Sequence, residues 1–348
     1  MMKTTAIPVA RLPLPARFRL PVRLPDFVAL MKPRVMALAV FTAVVGLMIA
    51  PGDLDRVSGC IAILAIAAGA GAAGALNMWY DADIDALMDR TATRPIPRST
   101  VSRTEAFAFG LVLAGGAVAL LGLSTNALAA VLLAFAIFFY IVVYTIWLKR
   151  RTPHNIVIGG AAGAIPPVIG WAAASGQLGL EPFTLFLIVF LWTPPHFWAL
   201  ALNRADEYAR AGVPMLPVIA GRAETKRQIL IYSVLLTPVS LLPWLMGFAG
   251  TIYGATALVG GTLLVALALQ LRRSRVSERR AANRLFGFSI LYLFVLFAAL
   301  LSSDGNSRTA SSEFTRAALS TVGPSQAPCL PCSDHAARAL SEATAGKI

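Results

Sequence analysis

The run NMWYDADIDALMDRTATRPIP, Asn77 to Pro97, decides how the chain is read. Asn77, Asp81 and Asp85 recur every four residues, so on an α-helix each sits one turn above the last, drifting only about 40° per step. They share a face, whereas Asp83 points about 100° to 200° away from its neighbours. The run follows Cys60 to Leu76, an apolar segment without a charge. The carboxylates therefore lie where a membrane helix meets its polar boundary, a depth at which ionisable side chains are costly and mark functional sites. Hard oxygen ligands there suit Mg²⁺, which is held by one or two carboxylates together with phosphate oxygens. The plainer alternative is a solvated helix end made of Asp81, Asp83, Asp85 and Asp89. Against it stand Arg90, Arg94 and Arg98 with Pro95 and Pro97 directly downstream, a cationic turn of the kind that grips phosphate. Together the two halves of the run suggest a diphosphate substrate.

Composition sets the class around this run. Of 348 residues 57% are hydrophobic and 14% charged, and the mean hydropathy is +0.71. Apolar content this far above that of soluble domains reads as a polytopic membrane protein embedded in a lipid bilayer. Nine apolar segments follow one another, at roughly 35–50, 58–80, 104–123, 127–147, 155–174, 183–202, 228–248, 254–271 and 285–301. The expected organisation is a basic, proline-punctuated arm over 1–34, a nine-helix domain over 35–301 and a tail over 302–348. The arm's alternation of Arg with Leu and Pro gives no helical stripe, and no apolar signal-peptide core follows its first charges.

Orientation follows from Lys and Arg. With the N-terminus inside, the cytoplasmic pieces carry 25 of the chain's 30 basic residues, and the external loops hold only Arg56. The net charge of +13 is thus mostly a topology signal. Scattered among inter-helix loops, it argues against nucleic-acid binding. On this topology the Asn77–Pro97 run, the Lys149-Arg150-Arg151 cluster and the loop from Asn203 to Arg227 share the cytoplasmic side, and the C-terminus lies outside. The expected location is a bacterial inner membrane.

A second polar cluster runs from Trp192 to Pro217, WTPPHFWALALNRADEYARAGVPMLP. Pro194-Pro195 can kink or start a helix, after which His196, Asn203 and Glu207 fall on one face at i, i+7 and i+11. Asp206 and Glu207 supply a second acidic pair. Between the clusters, NIVIGGAAGAIPPVIGW from Asn155 presents Gly159, Gly160 and Gly163, which serve either close helix contact or a pocket wall.

The Asn77-xxx-Asp81-xxx-Asp85 pattern, with Met88, Arg90-Thr91 and Arg94-Pro95, resembles the first aspartate-rich motif of the UbiA superfamily of intramembrane prenyltransferases. Lys32-Pro33-Arg34-Val35, NIVIGGAAGAIPP from Asn155, WTPPHFWALAL from Trp192, AGVPMLPV from Ala211 and RLFGFSILYL from Arg284 narrow the resemblance to the haem-modifying branch, over roughly residues 28 to 304. The resemblance implies an all-α, nine-helix bundle that joins farnesyl diphosphate to a vinyl group of haem B, giving haem O and diphosphate. It implies Mg²⁺ held by Asp81 and Asp85, with Asn77 in the catalytic set. Arg90, Arg94, Lys149 and Arg150 would neutralise the diphosphate. His196, Asn203, Asp206 and Glu207 would face the haem, and haem A synthase or terminal-oxidase assembly would take the product. The second acidic loop departs from the Asp-xxx-Asp spacing of the wider superfamily, which puts a second metal in doubt. Two other readings stay open: a superfamily enzyme acting on a quinone precursor, and a haem carrier or transporter without catalysis. The tail reads as a disordered appendage. Its Cys329, Cys332 and His335 suggest a disulfide or a soft-metal site, while Cys60, inside a span, reads as a packing residue.

Overall fold

The computed structural model describes residues 24–274 and 278–302, and within them every regular element is helical. The helices are α1 (Leu24–Leu30), α2 (Pro33–Ile49), α3 (Arg56–Tyr80), α4 (Ala82–Asp85), α5 (Arg103–Ser124), α6 (Ala127–Phe138), α7 (Asn155–Ala164), α8 (Pro166–Ser175), α9 (Leu180–Leu202), α10 (Ala205–Arg210), α11 (Leu216–Ile219), α12 (Gly221–Leu245), α13 (Thr251–Arg273) and α14 (Glu278–Leu301). Helix α6 continues without a break as ten residues of π-helix, Phe139–Leu148.

Among the described residues, eight helices or joined helix pairs are long and apolar enough to cross a membrane, and α1 with α2 makes a ninth as a pair bent by 58°. The nine expected spans are thus recovered, with three local differences. The end of the expected arm is helical: α1 lies against α3, and its Leu30 is wholly buried. The stretch from Asn203 to Arg227 contains α10, α11 and the first turns of α12 rather than an open loop. Pro194 and Pro195 lie inside α9 and are buried there, where packing against neighbouring spans compensates for the lost backbone bonds. Cys60 is exposed on α3 and does not pack. The expectations for Cys329, Cys332, His335 and the rest of the tail fall outside the described residues.

Chain neighbours α3 and α5, α12 and α13, and α13 and α14 pack together, whereas α2 lies against α8 and α14, and α9 against α7, α12 and α14. Helices α2 and α8 approach backbone to backbone. A Cβ on Gly170 would stand 2.0 Å from the Ala43 carbonyl oxygen, and one on Gly46 would stand 2.1 Å from that of Pro167. The small residues of α7 divide between the two roles open to them. Gly159 and Gly160 pack against Tyr144 and Thr193, whereas Gly163 has open space within 4 Å.

The loop after α4 is anchored by burial and hydrogen bonds. Ile96 and Val101 are buried with Leu30, Met78 and Ala106 from α1, α3 and α5. Thr91 Oγ1 donates to the Asp85 carbonyl at 2.8 Å, and Ser102 closes the loop with a capping box on α5. This anchoring fixes where Arg94 points.

Candidate active site

Asn77, Asp81 and Asp85 do share a face, although the helix that carries them is interrupted. Regular α3 stops at Tyr80, yet Asp81 N donates to Asn77 O at 2.9 Å and Asp85 N to Asp81 O at 2.8 Å, so the four-residue register runs on. All three side chains are buried. Asp81 Oδ2 accepts from Asn77 Nδ2 at 2.8 Å and from Lys149 Nζ. Asp85 Oδ2 accepts from Arg94 Nη1 at 2.6 Å. Asp83 points elsewhere, as its spacing predicts: it is half exposed and takes both Arg150 Nη atoms at 2.7 Å. That guanidinium holds the Asp83 carboxyl below the usual carboxylate range, and Arg150 also lies 4.8 Å over the Tyr80 ring.

Two residues complete the site that motif spacing alone does not reveal. Lys32 sits in the bend between α1 and α2 with φ 55°, a left-handed conformation unusual for a residue with a side chain. Its Nζ donates to Asn77 Oδ1 at 2.5 Å, so the bend 45 residues upstream reaches the amide that itself donates to Asp81. Thr145 comes from the π-helix, where Lys149 N donates five residues back to Tyr144 O at 2.8 Å. Thr145 Oγ1 accepts from Asn77 Nδ2 at 3.0 Å and donates to Tyr140 O at 2.8 Å. Insertions of this kind gather at functional sites, and here the wider turns carry Thr145 and Lys149 onto the face opposite Asn77 and Asp81.

Electrostatics show what is missing. Arg94, Lys149 and Arg150 pair with Asp85, Asp81 and Asp83, and Lys32 joins them through Asn77. Lys32 touches only a neutral amide oxygen among the described residues. Four cations thus stand against three carboxylates, an arrangement that suits an added anion. At the same time Asp81 Oδ1, wholly buried, has no hydrogen-bond donor among the described residues and only Arg150 Nη2 at 3.7 Å. A free, buried carboxylate oxygen beside a second carboxylate fits a hard divalent cation completed by substrate oxygens.

The other expected residues are placed differently. Arg90 is exposed and makes no hydrogen bond or ion pair with a described residue, although its charge acts on Tyr208. His196, Asn203 and Glu207 do not share one helix face, because α9 ends at Leu202 and Arg204, with φ −129°, breaks the register before α10. Asn203 Nδ2 donates to Asn283 Oδ1 at 2.7 Å, and Glu207 pairs with Arg204 at 2.8 Å. Asp206 is exposed. His196 packs against α14, its Nδ1 2.8 Å from Ser289 Oγ, while Asn203 Oδ1 and Glu207 Oε2 are buried without a hydrogen-bond partner among the described residues.

The sequence profile of the UbiA prenyltransferase family matches residues 39–302. The chain belongs to the UbiA prenyltransferase family. This UbiA prenyltransferase is 60% identical over 278 residues to a protein named protoheme IX farnesyltransferase from Parvibaculum lavamentivorans, covering 79% of its own chain and 87% of that one. It is 61% identical over 277 residues to the protein of the same name from Afipia carboxidovorans, covering 79% and 88%. Among solved structures, its fold is shared with a UbiA homologue from Archaeoglobus fulgidus bound to GPP and Mg²⁺, at 16% identity and a TM-score of 0.57 over 78% of this chain and 99% of that one. It is shared also with a digeranylgeranylglyceryl phosphate synthase, at 18% identity and a TM-score of 0.67 over 80% and 98%. This UbiA prenyltransferase is accordingly a bacterial integral membrane enzyme, helical throughout its described regular elements.

Proposed function

We propose that this enzyme transfers the farnesyl group of farnesyl diphosphate to a vinyl group of haem B, giving haem O and releasing diphosphate. The observation that carries the reading is the excess of cations over carboxylates around Asp81 and Asp85, in a chain about 60% identical to proteins named for this reaction.

Asp81 and Asp85, with Asn77 between Lys32 and Asp81, would hold Mg²⁺, which supplies Lewis-acid charge to the diphosphate oxygens when bound. Arg94, Lys149 and Arg150 engage the same oxygens and stabilise the negative charge that builds as the allylic C–O bond breaks. Charge that appears only in the transition state is where such groups gain most rate. Arg90, exposed just beyond Asp85 in the chain and without a hydrogen bond to a described residue, meets the diphosphate on entry. The vinyl π-electrons form the new C–C bond to the farnesyl carbon, and water then adds at the neighbouring carbon, losing a proton, to leave a hydroxyethyl-type side chain. His196 faces the haem, and Asn203, Asp206 and Glu207 line the polar rim above it.

The distribution of Lys and Arg supports an N-terminus in the cytoplasm and a C-terminus across a bacterial inner membrane. The product would pass to a haem A synthase or to terminal-oxidase assembly. The test is to incubate membranes containing the protein with haem B, farnesyl diphosphate and Mg²⁺ and to weigh the haem. Farnesylated haem is expected; unchanged haem beside a prenylated benzoate would transfer the assignment to a quinone precursor.

A further inference from the structure

Ser289 is fully buried on α14 and its hydroxyl makes two contacts. One is to the Phe286 carbonyl oxygen at 2.7 Å, a separation at which two oxygens need a hydrogen between them. That is the only hydrogen the hydroxyl has. The second contact, 2.8 Å to His196 Nδ1, is therefore an N–H of the imidazole donating to Oγ. A neutral imidazole carries one N–H, so the lone pair lies on Nε2.

The ring is also held in place. Trp192 stacks on one side with centroids 4.2 Å apart and 17° between planes, and Phe286 on another at 4.6 Å and 21°. Trp192 is itself fixed by Nε1 donating to the Ser289 carbonyl at 2.7 Å. Nε2 has no hydrogen-bond partner among the described residues and is not sealed off from open space. The Asn203–Asn283 hydrogen bond joins the same two helices at their polar rim. Seven residues of helix place His196 about 10 Å deeper than that rim. A fixed, unpaired imidazole lone pair among aromatic rings is a ligand in search of a metal, and imidazole suits iron.

We propose that Ser289 is a positioning residue that selects the Nδ1–H form of His196 and so presents Nε2 as an axial ligand to the iron of the porphyrin acceptor. This rests on the reading that the acceptor is a haem. Hydrogen bonds of this outer kind fix ring orientation and raise the basicity of the ligand.

The full-length protein, purified in detergent and titrated with haem B, tests both parts. In the wild type a histidine-ligated absorption and resonance Raman signature is expected. His196→Gly should lose it, and added imidazole should restore it. Ser289→Ala should keep the ligand but lower the iron–histidine stretching frequency and weaken haem binding about tenfold. Nitrogen-15 NMR of labelled histidine in haem-free protein, with His196 assigned from a His196→Gln variant, should show the Nδ1–H form in the wild type and its loss in Ser289→Ala. A wild-type spectrum in His196→Gly overturns the ligation. An unchanged tautomer and stretching frequency in Ser289→Ala reduces Ser289 to packing. A wild type that neither binds nor farnesylates haem overturns the acceptor reading and this inference together.

Discussion

Replacing Asp81 by Asn preserves the size of the side chain and removes the charge that the site is built on. Asp81 is 0% exposed and its carboxylate accepts from Lys149 and Asn77, with Arg150 at 3.7 Å. Removing one partner of a buried charge pair costs about 3–5 kcal/mol. At about 1.4 kcal/mol per decade, turnover should fall by about two to four orders of magnitude if that loss appears in the barrier. The assay is farnesylated haem by mass, in membranes where the variant's insertion has been checked. Adding Lys149→Met separates pairing from catalysis: it removes the orphaned ammonium, so the melting temperature should recover while turnover stays low. Asp83→Asn is the control. Asp83 is 53% exposed, and the loss of a pair that open to solvent changes activity by at most about 1 kcal/mol, under tenfold. An Asp81→Asn enzyme within tenfold of the wild type would refute the metal and diphosphate assignment.

Lys32→Met should weaken binding of a non-hydrolysable farnesyl diphosphate analogue by about 10- to 100-fold, the worth of a hydrogen bond to a charged group, while the melting temperature holds; unchanged affinity by calorimetry removes Lys32 from the site. Gly170→Ala forces α2 and α8 apart, since the new Cβ would meet the Ala43 oxygen at 2.0 Å, and should cost about 1–3 kcal/mol or more of stability. Gly163→Ala, with nothing within 4 Å, should leave the melting temperature unchanged; equal losses in the two would deny the close approach. Deleting residues 306–348 removes nothing within the matched family region, residues 39–302, so activity in membranes should persist, and a correctly inserted but dead truncation would give Cys329 and Cys332 a function.

What the sequence displays and what it hides divide along a physical line. Spans were legible because nine apolar runs and their flanking charges are dictated by the bilayer: the fifth expected segment, 155–174, is α7 and α8, Asn155–Ala164 and Pro166–Ser175. The Asn77, Asp81 and Asp85 face was legible for the same kind of reason, a local period of four that survives the end of α3. His196, Asn203 and Glu207 were placed by the same rule and separated, because one non-helical residue, Arg204, is enough to cancel a register that periodicity assumes to be continuous. Contacts made across the chain leave no period at all. Lys32 reaches Asn77 over 45 residues, Thr145 over 68 and Ser289 reaches His196 over 93. Lys32 nevertheless left a trace that its charge could have flagged. Lys32 stands in a Lys-Pro-Arg run with no acidic residue within five positions, so its ammonium had to find its partner elsewhere. Arg94, Lys149 and Arg150 match Asp81, Asp83 and Asp85 in number, so Lys32, held by a neutral amide, is the cation left over for a charge that arrives with the proposed substrate. Polar residues without local partners therefore carry as much of the proposed binding reading as the motif residues do.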